Sequence, residues 1–304
     1  MKNEEIRFPA PLKRGDKIAV CSPAGKIKSQ IVYDAVDVLR NQGWEVEIMS
    51  HALGENGNFS GTADERYADL KSAFEDPKVR AILCSRGGYG VVHIMDRLNK
   101  LSLENDPKWV IGFSDISALH ALMSRKGIAS IHSSMAAHIK EGAEDPDNRD
   151  LFAILQGDRP VHIFDAHDYD RQGIVTGRLC GGNLAVLAEL IGTPYDLLKP
   201  DSILFIEDVS EPIYKIERIL YQMRLSGLFD NIRGLIVGQF TDYKPDANHD
   251  DMESMIRDAI AGYDFPVAFN APIGHVDHNI PLIEGAKVTL KVSPSGRNSI
   301  IFHK

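Results

Sequence analysis

Short apolar runs alternate with longer amphipathic stretches over the first 130 or so residues. Lys17-Ile-Ala-Val-Cys21 reads as a strand, and residues 29–41 place apolar side chains at helical spacing. The alternation continues with strands expected at 44–49, 79–84, 109–113 and 128–132, and helices at 62–75, 91–98 and 115–126. Strands separated by helices imply βαβ crossovers, so the first half is expected to form a mostly parallel sheet flanked by helices, Rossmann- or flavodoxin-like. Ligands of such sheets bind at the carboxyl ends of the strands.

Between His138 and Gly173 the pattern breaks. Glu141-Gly-Ala-Glu-Asp-Pro-Asp-Asn148 is polar, Phe164-Asp-Ala-His-Asp-Tyr-Asp-Arg-Gln-Gly173 is polar and turn-rich, and a short amphipathic helix is expected at 149–156. The second half is mixed. Helices are expected at 182–191, 213–226 and 250–261, strands at 202–206 and 235–239, and Phe265 to Phe269 is a further apolar run. Alternating apolar runs on either side of Ser293-Pro-Ser-Gly-Arg297 signal a C-terminal hairpin. The expected organisation is an N-terminal α/β domain at 1–138, a connection at 139–172, and a second mixed α/β domain at 173–304 with a β-rich end.

The 43% hydrophobic and 25% charged residues place the chain among ordinary globular proteins. A formal net charge of -9, with Lys and Arg scattered, argues against a nucleic-acid partner, which needs a basic face with counterions to release. The start, Met1-Lys-Asn-Glu-Glu-Ile-Arg-Phe-Pro-Ala10, lacks the apolar core of a signal peptide, and no run is long enough for a membrane span. A cytoplasmic protein is expected. Cys21, Cys84 and Cys180 have no CxxC spacing and lie in or after apolar runs, which predicts buried free thiols.

Three loops after first-half strands carry chemistry. Cys21-Ser-Pro-Ala-Gly25 is one, and Ser85-Arg-Gly-Gly-Tyr-Gly90 lets backbone approach a ligand closely without matching a P-loop or GxGxxG. The third is Gly112-Phe-Ser114-Asp115, where an apolar strand stops on a serine and a helix begins at once. A hydroxyl there projects into the crevice, and the first-turn N–H groups behind it can receive an oxyanion; Ser114 as a plain helix cap is the competing reading. A serine nucleophile needs a base, and the base an orienting carboxylate. Leu204-Phe-Ile-Glu207-Asp208 ends an apolar run in two carboxylates, and Asn270-Ala-Pro-Ile-Gly274-His275 sets a histidine on a turn. His275-Val-Asp-His278, with His249, Asp250 and Asp251, offers metal-binding side chains without an established ligand spacing, so a metal is not expected. His132 and His138 are read as structural or rim residues.

The motifs Ser85-Arg-Gly-Gly-Tyr-Gly90, Gly112-Phe-Ser114-Asp115, Gly181-Gly-Asn-Leu184, Phe205-Ile-Glu207-Asp208 and Gly274-His275, in that order, resemble the LD-carboxypeptidase family of serine peptidases. That family includes muramoyl-tetrapeptide carboxypeptidases and microcin C immunity peptidases. The resemblance implies a Ser-Glu-His triad on a two-domain fold, with Ser114 as nucleophile, His275 as general base and acid, and Glu207, rather than Asp208, orienting the imidazole. It implies an oxyanion hole from the backbone N–H groups of Gly88 and Asp115, no cofactor or metal, a small peptide substrate such as a murein tetrapeptide, and a homodimer. Arg86 and Asn183 are candidates for binding substrate; for Arg86 a loop-bracing salt bridge competes. Two further readings stay open: an immunity-type peptidase acting on aminoacyl-nucleotide conjugates, and a non-catalytic two-lobe binding protein. The α/β-hydrolase elbow G-x-S-x-G is not met, because position 116 is Ile.

Overall fold

A computed structural model describes residues 6–197, 200–293 and 296–304. The chain divides into two compact units, one of residues 1–158 with 280–285 and one of residues 159–279 with 286–304.

In the first unit the elements follow the hydrophobic pattern closely. They are β1 (Lys17–Cys21), α1 (Ser29–Asn41), β2 (Glu45–Ile48), α2 (Ala63–Glu75), β3 (Val79–Cys84), α3 (Met95–Leu98), β4 (Trp109–Gly112), α4 (Ser117–Arg125), β5 (Ser130–His132), α5 (Ala136–Ile139) and α6 (Pro146–Leu155). Strands β1, β3 and β4 are almost wholly buried, which is why residues 18–21, 81–84 and 109–111 read as continuous apolar runs rather than alternating ones. The parallel strands lie in the order β5-β4-β3-β1-β2, the flavodoxin-like order, and β11 (Leu282–Glu284) from late in the chain pairs antiparallel with β5 at the edge. The order reverses between β1 and β3. The two strand ends there, Cys21 and Cys84, are register partners, and Ser85 N–H donates to Cys21 O at 2.7 Å. This switch point, where such sheets bind ligands, is therefore walled by the Ser22–Gly25 and Ser85–Gly90 loops, with β4 and Ser114 alongside.

The second unit contains β6 (Val161–Asp165), β7 (Gly173–Asn183), α7 (Leu184–Leu190), β8 (Ser202–Val209), α8 (Ile213–Leu225), β9 (Gly234–Thr241), α9 (Met252–Ala259), β10 (Val267–Ala268), β12 (Lys287–Val292) and β13 (Arg297–Phe302). Its sheet runs β10-β9-β8-β7-β12-β13-β6: parallel from β10 to β7, antiparallel from β7 to β6. The mixed α/β character with a β-rich end is as expected. Leu184 of α7, Ile216, Leu220 and Met223 of α8, and Met255 and Ile256 of α9 share one buried cluster with Leu204, Ile206, Leu235 and Val237 of the central strands. Strands β12 and β13 form the expected hairpin, although Pro294 and Ser295 of its turn lie outside the described residues.

The expected connection at 139–172 is corrected. Helix α5 packs on α1, and Phe152 of α6 meets the Trp44 ring edge-on at 5.5 Å, so this segment up to Asp158 belongs to the first unit. Residues 161–165 join the second sheet as β6. The polar stretches that resembled a linker are turns and partly exposed sides of these elements, and Asn148, fully buried, donates to Gly142 O at 2.8 Å to close the turn before α6.

Candidate functional site

At the end of β4 the chain turns through a single 3-10 turn, Ser114–Ile116, into α4. Ser114 takes φ 65°, a left-handed conformation that costs a non-glycine residue about 1–2 kcal/mol. Strain of that kind persists where the surroundings over-determine it, commonly at functional sites. Neither the turn nor α4 is capped by a side chain, so Ser114 is not the plain helix cap that competed for its reading. The strand end beneath it is fixed by His120 of α4, buried, with Nε2 2.8 Å from Gly112 O and Nδ1 2.8 Å from the Ser130 hydroxyl. The carbonyl can only accept, so Nε2 carries the proton and Nδ1 accepts from Ser130. Burial lowers the His120 pKa to about 4 against the opposing hydrogen bond to Gly112, so this imidazole is neutral near pH 7 and is a structural donor.

The Ser85–Gly90 loop passes over Ser114. A Cβ on Gly87 would stand 2.8 Å from Ser114 Cβ and 3.0 Å from its Oγ, so the backbone approaches the hydroxyl as only glycine permits. Gly87 O accepts from Gly25 N–H at 3.0 Å, and the buried Asp115 carboxylate accepts from Val91 N–H at 3.0 Å. Gly88, at φ 115°, follows Gly87 in this loop, and Asp115 follows Ser114 in the first turn. Arg86 is exposed and its Nη1 donates to Lys26 O at 2.8 Å. It braces the loop through a backbone carbonyl rather than through a salt bridge.

In the second unit, β8 lies between β7 and β9 and is buried along nearly its whole length, which accounts for its apolar run. At its carboxyl end Glu207 is 0% exposed, and its Oε2 lies 2.8 Å from His275 Nδ1. The imidazole is carried there by the segment after β10, which continues alongside β9: Ala271 N–H donates to Val237 O at 3.1 Å and Gln239 N–H to Ile273 O at 2.9 Å. Gly274, at φ 119°, lies flat on Glu207, where an added Cβ would be 2.7 Å from Oε2, and its N–H donates to Asn279 Oδ1 at 2.9 Å. A carboxylate on Nδ1 fixes the tautomer, with Nδ1–H donating and Nε2 left as the basic nitrogen. Burial alone would lower the His275 pKa. The hydrogen bond to Glu207 and the negative charges of Glu207, Asp208 and Asp242 outweigh it, and the pKa is raised above 6.5.

Asp208, the alternative carboxylate, turns to other partners. Its oxygens accept from Asn183 Nδ2 at 2.9 Å, Ala185 N–H at 2.8 Å and Val209 N–H at 2.8 Å, tying β8 to the start of α7. Burial, and then the charge of Glu207, lift its pKa to about 6 against those hydrogen bonds. Asn183 is buried, caps α7 by accepting from Val186 N–H at 3.2 Å, and holds Asp208. These contacts give the residue nominated as a substrate contact a structural task. The three cysteines are buried and unbridged, and burial raises the Cys21 and Cys84 thiol pKa values, as inert core thiols require.

The metal-binding side chains weighed from sequence do not gather among the described residues. Asp251 caps α9 by accepting from Ser254 N–H at 2.6 Å, and His249 lies 3.6 Å from Glu217. His138 meets Asp145 and Asp147, and Asp145 is already the cap of α6, accepting from the N–H groups of Asp147 and Asn148. His132 lies buried beside Phe113 and His120. Sequence reasoning missed Asn279, whose side chain accepts from Gly274 N–H and holds the His275 turn.

Residues 18–133 match the model of the LD-carboxypeptidase N-terminal domain and residues 176–290 that of the C-terminal domain. The murein tetrapeptide carboxypeptidase of Pseudomonas aeruginosa is 30% identical over 86% of this chain and 89% of its own. The crystal structure of muramoyltetrapeptide carboxypeptidase from Oxalobacter formigenes superposes with a TM-score of 0.84 at 25% identity, covering 95% of this chain and 99% of that one. The microcin C7 self immunity protein MccF, in complex with aspartyl sulfamoyl adenosine, has the same fold, with a TM-score of 0.84 at 20% identity over 98% of this chain and 99% of its own. With both domain models matched in order and a relative of that similarity, the chain belongs to the LD-carboxypeptidase family of peptidases.

Proposed function

We propose that the protein is a serine LD-carboxypeptidase that removes a C-terminal D-amino acid from a murein tetrapeptide. The observation that carries the reading is the fully buried Glu207 accepting from His275 Nδ1 at 2.8 Å, an imidazole oriented and made more basic for proton transfer. Ser114 Oγ attacks the carbonyl carbon of the penultimate residue while His275 Nε2 takes its proton. The oxyanion is received by the N–H groups of Gly88 and Asp115. His275 then delivers the proton to the departing amine of D-alanine, and water, deprotonated by the same imidazole, releases the tripeptide and restores the serine. Arg86, on the loop beside Ser114, is the candidate for the terminal carboxylate.

The relatives support the substrate class, since the Pseudomonas aeruginosa enzyme is named for a murein tetrapeptide and the Oxalobacter formigenes enzyme for a muramoyltetrapeptide. A homodimer is carried by the family resemblance alone. Among the described residues no helix is long and apolar enough to cross a membrane. Purified protein incubated with matched tetrapeptides ending in D- or L-alanine, followed by mass spectrometry, tests the reading. Release of D-alanine alone is expected, because a scissile carbonyl misplaced by the wrong configuration loses roughly 10²-fold or more in rate. Ser114→Ala should abolish release and leave the melting temperature within a few degrees. Equal cleavage of both peptides, or cleavage only of an aminoacyl-nucleotide conjugate, overturns it, the latter in favour of an immunity-type peptidase.

A further inference from the structure

We propose that Arg66 is a positioning residue, holding the backbone donors of the Ser85–Gly90 loop in place over Ser114. The inference rests on the reading of Ser114 as nucleophile. Arg66 lies in the first turns of α2 and is 2% exposed, although a guanidinium is among the costliest groups to bury. Its donors account for the burial. Nη1 donates to Pro23 O at 2.7 Å and to Gly90 O at 2.8 Å, and Nε donates to Gly61 O at 3.2 Å. Three loops thus end on one cation.

Two of those loops wall the switch point of the sheet. Pro23 belongs to the loop after β1, whose Gly25 N–H holds Gly87 O at 3.0 Å, and Gly90 closes the loop after β3. One residue further on, Val91 N–H is held by the Asp115 carboxylate at 3.0 Å. The Gly87-Gly88 stretch is therefore pinned at Gly25, at Gly90 by Arg66, and at Val91 by the residue next to Ser114. Burial lowers the Arg66 pKa, and the negative charge of Asp115 offsets part of that. The face of the Phe59 ring lies 4.8 Å from the guanidinium carbon and closes the other side.

The same cation orients a side chain at the surface. Arg66 Nη2 lies 3.3 Å from His93 Nδ1, and arginine can only donate, so His93 Nδ1 accepts and Nε2 carries the proton. Nε2–H then donates to the Tyr89 hydroxyl at 3.2 Å, and Tyr89, in the same loop, is 56% exposed. A chain of oriented donors runs from the buried guanidinium to the loop's outer aromatic residue. Lysine replaces it only in part, because one ammonium on a flexible stem keeps the charge but does not reproduce a planar fork to carbonyls in three directions.

Arg66→Gln and Arg66→Lys test the inference. The measurements are kcat and KM on the D-alanine-terminated tetrapeptide, the rate of labelling by a fluorophosphonate, and the melting temperature. For Arg66→Gln, kcat and the labelling rate should fall together by about 10²-fold, the size of effect seen when an oxyanion donor is lost, with KM within about threefold of wild type. Arg66→Lys should lose about tenfold in both rates, retaining charge but not the full set of bonds. Wild-type rates in either folded variant overturn the proposal. So does a loss that only tracks the fraction of folded protein, or failure of both variants to fold, which makes Arg66 a folding determinant. Ser114→Ala separates this from the underlying reading: if it is still labelled and active, the nucleophile assignment fails whatever Arg66 does.

Discussion

Gly274 and His275 show how narrowly one side chain constrains the next. Gly274→Ala would meet both a positive φ and a Cβ 2.7 Å from Glu207 Oε2, so either the turn or the carboxylate must move. A displacement of 1 Å in such a constellation costs about 10²-fold in rate, and kcat/KM for Gly274→Ala is expected to fall by that order. The pH profile carries the sign of the Glu207 contact. In the proposed mechanism His275 must be neutral at Nε2 to accept a proton, and its pKa is raised. The acid limb of kcat/KM should therefore have its midpoint above 6.5, with activity lost as pH falls through it. In Glu207→Gln the hydrogen bond to a charged acceptor and one negative charge are gone, so the limb should move to lower pH while the plateau drops. An unmoved limb in that variant would mean that another group titrates.

At the scale of elements, local signals and tertiary contacts divide the outcome. Helix α2 is specified locally: Thr62 Oγ1 accepts from Glu65 N–H at 3.2 Å while Glu65 Oε2 accepts from Thr62 N–H at 2.8 Å, a complete capping box. Thr62→Ala should destabilise the protein by about 1 kcal/mol and Thr62→Ser by much less, as denaturant titration would read. The helix expected at 91–98 is instead a 3-10 turn at Val91–His93, closed by His93 N–H donating to Gly90 O at 3.2 Å and Ile94 N–H to Val91 O at 3.0 Å, followed by α3. Strand β7 escaped notice because its glycines dilute the apolar pattern. The reason for one of them lies in the next strand: a Cβ on Gly181 would stand 2.0 Å from Phe205 O.

The whole molecule is discontinuous in sequence. The chain leaves the first unit after Asp158, returns for 280–285, and leaves again. In that return β11 covers the β5 edge and buries Leu282 and Ile283 at 0% exposure. A fragment ending at residue 158 would lack this strand and expose the β5 edge. Two buried aliphatic side chains at about 1.5–3 kcal/mol each put its loss at roughly 3–6 kcal/mol. The fragment should melt well below the intact protein and bind a hydrophobic dye, and a fragment as stable as the whole would show that β11 contributes little to the first unit.

What the sequence determined by itself is what short-range physics encodes. Buried parallel strands must be continuous apolar runs and surface helices must be amphipathic, so β1, α1 and β3 could be read to the residue, and the special loops stood out because strands end abruptly there. Ser114, Glu207 and His275 were each visible as polar residues at such ends, and the proposal that they act as a triad came from the family resemblance. The tertiary structure decided the rest. Glu207 rather than Asp208 meets His275, because the oxygens of Asp208 are taken up by Asn183, Ala185 and Val209. Arg66 stands far in sequence from the loops it holds, and β11 completes a sheet whose other strands end some 150 residues earlier. Such contacts leave no periodic trace, because a hydrogen bond between distant residues constrains donor, acceptor and position in space but no local spacing of side chains.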